Sequence, residues 1–93
     1  EIGIWRNGGF YLDYNGNGVW DDASDISYLF GLSTDTPIIG DWNGDGVDEI
    51  GIWRNGGFYL DYNGNGVWDD ASDRTYLFDV STDTPITGDW NGV

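Results

Sequence analysis

The nine residues Asp41-Trp42-Asn43-Gly44-Asp45-Gly46-Val47-Asp48-Glu49 carry side-chain oxygens at their first, third, fifth and ninth positions. Asp41, Asn43, Asp45 and Glu49 supply them. The Val47 carbonyl can serve at the seventh position, and Gly46 permits a tight turn. Alternating hard oxygen donors suit Ca²⁺, which takes about six to eight oxygens at about 2.3–2.6 Å. The loop is not an EF-hand, because its twelfth position is Ile52 rather than a bidentate Glu. Two further runs repeat the spacing. One holds Asp13, Asn15, Asn17, Val19 by its carbonyl, and Asp21; the other holds Asp61, Asn63, Asn65, Val67 by its carbonyl, and Asp69. Asn17 and Asn65 replace an acid, so weaker Ca²⁺ binding is expected there, with Asp22 and Asp70 as candidate helpers. A fourth run has Asp89 and Asn91 but Val93 at the fifth position, and is expected to be impaired or empty. Ordinary turns are the competing reading, since Asx side chains in Asn-Gly and Asp-Gly runs bond their own backbone. Such turns need no acid at the ninth position.

Other chemistry is sparse. The chain has no His, no Cys and no Lys, so the commonest general base and any thiolate metal site are missing. Asp21/Asp22 and Asp69/Asp70 are paired carboxylates, but their loop setting favours metal ligation or solvated turns over catalysis. No enzyme is expected. Trp5/Arg6/Asn7 and Trp53/Arg54/Asn55 suit either a sugar-binding set or a structural one. In the structural reading each Trp wedges between repeating blade-like units and each Arg pairs with a neighbouring Asp. Trp20 and Trp68 are expected to staple their own loops. With 3 basic residues against 17 acidic ones, the net charge is -14. Nucleic acid and anionic membrane surfaces are therefore disfavoured partners. No apolar run approaches the ~20 residues of a membrane helix.

The elements that must position these loops repeat. Residues 1–45 and 49–93 align at an offset of 48, with 39 of 45 positions identical. The differences are Ile26/Arg74, Ser27/Thr75, Gly31/Asp79, Leu32/Val80, Ile39/Thr87 and Asp45/Val93. The chain thus divides into a first repeat, 1–48, and a second, 49–93. Near-identity points to recent duplication or deliberate assembly, and a start at Glu1 to an engineered or excised origin. Aromatic residues at 17% argue for a folded chain despite the charge. Strands are expected over 37–42, 49–54, 57–62 and 74–80, with Gly/Asn/Asp punctuation between them. Asn55-Gly56 signals a type I′ hairpin. Most strands carry large apolar groups on both faces. A sheet covered on both sides by copies of itself fits that pattern, as in a β-propeller blade. The fold class expected is all-β, with propeller blades of four antiparallel strands and two blades per chain.

The segment Gly40-Asp41-Trp42-Asn43-Gly44-Asp45-Gly46-Val47-Asp48-Glu49-Ile50-Gly51-Ile52 resembles the FG-GAP/VCBS-type repeat of integrin α-subunit propellers and many microbial surface proteins. The resemblance implies Ca²⁺ held by Asp41, Asn43, Asp45 and Glu49 with the Val47 carbonyl, in an extracellular or cell-surface setting. The family's ninth residue is usually Asp, from which Glu49 departs mildly. The chain begins at a second strand, 1–6, and ends at a first strand, 85–90. Closure of a ring then needs strand exchange with neighbouring copies. A homo-trimer of six blades or a homo-tetramer of eight is expected, with a slight lean to eight. The function expected is a Ca²⁺-binding structural module. A multivalent lectin and an adhesion module with a glycan or protein ligand are the alternatives.

Overall fold

The computed structural model describes residues 1–21, 23–78, 80–88 and 90. Its strands are β1 (Gly3–Arg6), β2 (Gly9–Leu12), β3 (Ile26–Leu29), β4 (Thr36–Gly40), β5 (Glu49–Arg54), β6 (Gly57–Leu60) and β7 (Arg74–Leu77). They form two antiparallel sheets, β1-β2-β3 and β4-β5-β6-β7, with no helix and no closed barrel among the described residues. The hairpin reading holds, since Asn55 and Gly56 have φ of 50° and 85°, as do Asn7 and Gly8 at 51° and 85°. Strand β5 spans the expected residues. The others are shorter, and near the ends of β4, β6 and β7 acidic side chains take backbone donors that a longer ladder would use. The Trp42 N–H goes to Glu49 Oε1 at 2.8 Å, so β4 stops before it. The Tyr62 N–H goes to Asp73 Oδ1 at 2.9 Å, which ends β6. The Val80 N–H goes to Asp83 Oδ2 at 3.3 Å, beyond the end of β7. Residues 85–88 form no ladder in this chain, and Asp89 lies outside the described residues.

The two sheets stack. Trp5 pairs with Phe10 and Phe10 with Tyr28, so these rings share one face of the first sheet. Ile52 pairs with Tyr59 on the facing side of the second sheet. Between them Phe10, Phe30, Ile50 and Ile52 form the buried core, with Trp5, Leu12, Tyr28 and Tyr59 packed around it. Burial of each such side chain contributes about 1.5–3 kcal/mol. Trp68 closes one side, edge-on to Phe30 at 6.2 Å and to Tyr59 at 6.0 Å.

An ion pair fastens the link between the sheets. Asp35 precedes β4, and its side chain is 1% exposed. Arg54, at the end of β5, donates to it twice at 2.7 Å, from Nε and Nη2. The Leu32 N–H donates to the same carboxylate at 2.7 Å. The guanidinium also lies 5.2 Å from the Tyr59 ring centroid. The Arg54 bonds hold the Asp35 carboxyl below its usual range, outweighing the opposing effect of burial. Its contribution to stability is therefore complete above the unfolded value near 4 and fades as pH falls through the lower folded value. Asp35→Asn should lower stability by about 2 kcal/mol at pH 7 and flatten the loss of stability below about pH 4. Urea denaturation at several pH values measures both. Equal acid sensitivity in the variant would contradict this role.

Candidate metal centre

The loop joining β4 to β5 gathers three carboxylates. Single oxygens of Asp41, Asp45 and Glu49 all lie within 4.8 Å of one another. Backbone donors fix the first two. Asp41 Oδ1 accepts from the Gly44 and Asp45 N–H at 2.9 and 3.1 Å, and Oδ2 accepts from Gly46 at 2.9 Å. Asp45 Oδ1 accepts from the Val47 N–H at 2.9 Å. Glu49 is buried at the start of β5, its Oε1 held by the Trp42 N–H. The Trp42 indole in turn donates to the Ile50 carbonyl at 2.9 Å, which pins the loop to the sheet. Burial raises the Glu49 pKa, and the charges of Asp45 and Asp41 raise it further against the Trp42 bond. The donor set is all oxygen and crowded with like charge, and a hard divalent cation would relieve it. Asn43 Oδ1 accepts from the Asp45 N–H at 3.0 Å, while its amide donates to the Tyr62 carbonyl at 2.7 Å. That bond ties this loop to its neighbour and was not foreseen from spacing.

The Asp13 and Asp61 loops are built differently. In the second, Asn63 and Asn65 point their amides at Asp69 Oδ2, at 3.2 and 2.7 Å, and turn their oxygens to the Asn65 and Val67 N–H groups. Asn15 and Asn17 do the same toward Asp21, and Asn17 Oδ1 accepts from the Val19 N–H at 2.9 Å. These are Asx turns, the competing reading of the spacing. One atom in each loop stays unaccounted for. Asp61 Oδ2 accepts from Gly66 at 2.7 Å and Asp13 Oδ2 from Gly18 at 2.7 Å, but Oδ1 of each is buried without a hydrogen-bond partner. Burial raises the Asp61 pKa, with Asp73 and Asp69 adding to it against the Gly66 bond. A buried oxygen of this kind is stabilised by a cation or a proton.

Two residues central to these loops lie outside the nine-residue spacing. Asp73 accepts the Tyr62 and Asp69 N–H groups, at 2.9 and 2.8 Å. Asp25 accepts the Tyr14 and Asp21 N–H groups, at 3.0 and 2.8 Å. Their identical place in each repeat was the available signal. Trp68 donates to Asp70 Oδ1 at 2.6 Å as well as packing on Tyr59, so it braces its loop. Asp22, Asp89, Asn91 and Val93 lie outside the described residues. Arg54 is held by Asp35, as the structural reading of that triad expects, while Trp53 is buried on the face of β5 turned away from the first sheet.

Crowding at Glu49 sets the sign of a substitution. Glu49→Gln keeps the Trp42 bond and removes one charge. In chelator the variant should be more stable by about 1 kcal/mol, or roughly 4–8 °C in Tm. In Ca²⁺ it should lose most of the wild-type response. Calorimetry in both buffers checks this, and a lower Tm in chelator would contradict it. Comparisons of the chain with family models, with curated proteins and with solved structures returned no match.

Proposed function

We propose that this chain is a Ca²⁺-binding structural repeat module of a β-propeller, without a catalytic role, whose sheets serve as blades in a ring completed by further copies of itself. The observation that carries the metal reading is the meeting of Asp41, Asp45 and Glu49 within 4.8 Å on a loop braced by its own backbone. Asn43 and the Val47 carbonyl complete the proposed ligand set. The Asp13 and Asp61 loops are secondary sites, supported by the unpartnered Oδ1 of each leading Asp. Three ions would take the net charge from -14 to about -8, easing self-repulsion.

Stacking of a three-stranded on a four-stranded sheet supports the blade reading. So does a bond from Thr87 Oγ1 to the Ile39 carbonyl at 3.0 Å. These residues occupy the same position one repeat apart. First strands of successive blades lie side by side around a propeller axis, which brings such positions together. Pairing of 84–88 with β1 of a neighbouring copy would complete its three-stranded sheet, and three or four copies would give six or eight blades. This is the architecture of the FG-GAP/VCBS-type repeat that residues 40–52 resemble, and the cell exterior is the setting it fits.

A metal bound only by the folded chain raises its stability. At about a hundred times the Kd the gain is about 2.7 kcal/mol, or roughly 10–20 °C for a domain of this size. Scanning calorimetry should show a rise of that order between chelator and millimolar Ca²⁺. Mg²⁺ should give much less, because it demands a smaller octahedral shell. A Tm that ignores Ca²⁺ would end the metal reading.

A further inference from the structure

Identical residues of the two repeats differ greatly in exposure. Ile50 and Ile52 are 4% and 2% exposed, whereas Ile2 and Ile4 are 69% and 54% exposed. Phe30 is 4% exposed and Phe78 85%. Sequence cannot explain these pairs, but position in the stack does. Ile50, Ile52 and Phe30 lie where the two sheets meet, whereas Ile2 and Ile4 on the outer side of the first sheet, and Tyr76 and Phe78 on the outer side of the second, are exposed.

The covered junction has a definite construction. Tyr28 and Phe30 of the first sheet enter a hollow on the second. The Tyr28 ring lies against Gly66, leaving no room for a Cβ there. Phe30 meets the edge of Trp68 and packs on Ile50 and Ile52. Asp35 then grips Arg54.

Each half of this junction recurs, unmatched, on the outside. The counterpart hollow on the first sheet is an open cavity of about 530 Å³, lined by Ile2, Ile4, Arg6, Tyr11, Gly18 and Trp20 among others. Gly18 faces open space where Gly66 meets Tyr28. Arg6 lies 5.7 Å from the Tyr11 ring centroid, much as Arg54 lies over Tyr59, and has no ion pair among the described residues. On the other outer face Tyr76 and Phe78 are exposed. Asp83 keeps the turn of Asp35, donating its N–H to the Val80 carbonyl at 3.1 Å and accepting the Val80 N–H.

We propose that the Tyr76 and Phe78 face of one copy of this chain docks into the Ile2 and Ile4 hollow of a second copy, with Asp83 gripping the second copy's Arg6. This deepens the ring reading above and rests on it for closure alone. The occupant is a second copy because the internal junction already displays the complex, with Tyr28, Phe30 and Asp35 identical in type to Tyr76, Phe78 and Asp83, and Ile50, Ile52 and Arg54 to Ile2, Ile4 and Arg6. The contact is heterologous, with one plug and one socket on every copy. Repetition closes a ring or extends a filament. Four positions of the plug segment differ, Ile26, Ser27, Gly31 and Leu32 being Arg74, Thr75, Asp79 and Val80 in the second repeat. Gly31, at φ 93° and against Ile52, is replaced at the second repeat by Asp79. The junction between copies is therefore weaker than the internal one and forms in a concentration-dependent way.

Light scattering on fractionated protein tests this, in Ca²⁺ and in chelator. The wild type should carry several times the 10.3 kDa of one chain. Ile4→Asp and Phe78→Asp should each remain single chains with unchanged far-UV circular dichroism. Mixed together they should form pairs and nothing larger, since each retains the half the other lost. Arg6→Glu and Asp83→Arg should each weaken association about a hundredfold or more. Combined in one chain, they should restore it, which misfolding could not do. A wild type that stays a single chain at high concentration, or a mixture that never pairs, would overturn the proposal. Assembly without any Ca²⁺ response would keep this junction and remove the metal reading. A Ca²⁺-stabilised single chain would do the reverse.

Discussion

A sheet with large apolar side chains on both faces must be covered on both. That constraint shapes this chain. β-Strands send successive side chains to opposite faces. Here Ile50 and Ile52 look one way while Ile38 and Trp53 look the other. One sheet cannot bury both sets, so a second must lie on it. The stack of β1-β2-β3 on β4-β5-β6-β7 builds the core between them; on the outer sides Ile38, Trp53 and Leu60 are buried, but Ile2, Ile4, Tyr76 and Phe78 stay exposed. The Asp35–Arg54 pair follows from the same arrangement. It joins the link entering β4 to the far end of β5, and both its carboxylate and the core beside it need the sheets in contact.

Charge is displaced to the edges by the same logic. Antiparallel pairing puts the loop after β4 and the loop after β6 at one end of their sheet. The two loops touch there. Asn43 reaches the Tyr62 carbonyl, and the Glu49 side chain lies against Gly64. Many of the acidic residues act as surrogates for backbone acceptors. Asp25, Asp73, Asp35 and Glu49 each receive N–H groups that a ladder would otherwise satisfy. This explains how a chain of net charge -14 keeps short strands and tight loops. It also explains why the crowding at Asp41, Asp45 and Glu49 stands apart, because there the carboxylates face one another.

Much of this was legible in the sequence, for physical reasons. The period-two alternation of 49–54 and the Asn-Gly turn mark local geometry directly, and both are found as expected. The two-faced apolar pattern implied stacking, and the sheets stack. Strand ends were less legible. Expected strands to residues 42, 62 and 80 stop at 40, 60 and 77. Carboxylates three to eleven residues away capture the donors of Trp42, Tyr62 and Val80, and spacing alone does not reveal which carboxylate will do so. The loops divide similarly. In the loop after β4, oxygens of Asp41, Asp45 and Glu49 lie within 4.8 Å of one another. In the loop after β6, with the same spacing, Asn63 and Asn65 instead turn their amides toward Asp69. Which end of an amide faces inward depends on neighbouring donors, and residue type leaves that open.

The central claim is that the exposed Ile2/Ile4 hollow and the exposed Tyr76/Phe78 patch are the two halves of one repeated junction. Native mass spectrometry from Ca²⁺-containing solution addresses it most directly, because it counts chains in each particle. The account predicts a dominant particle of three or four chains, with single chains appearing on dilution. A spectrum of single folded chains at every concentration would contradict it.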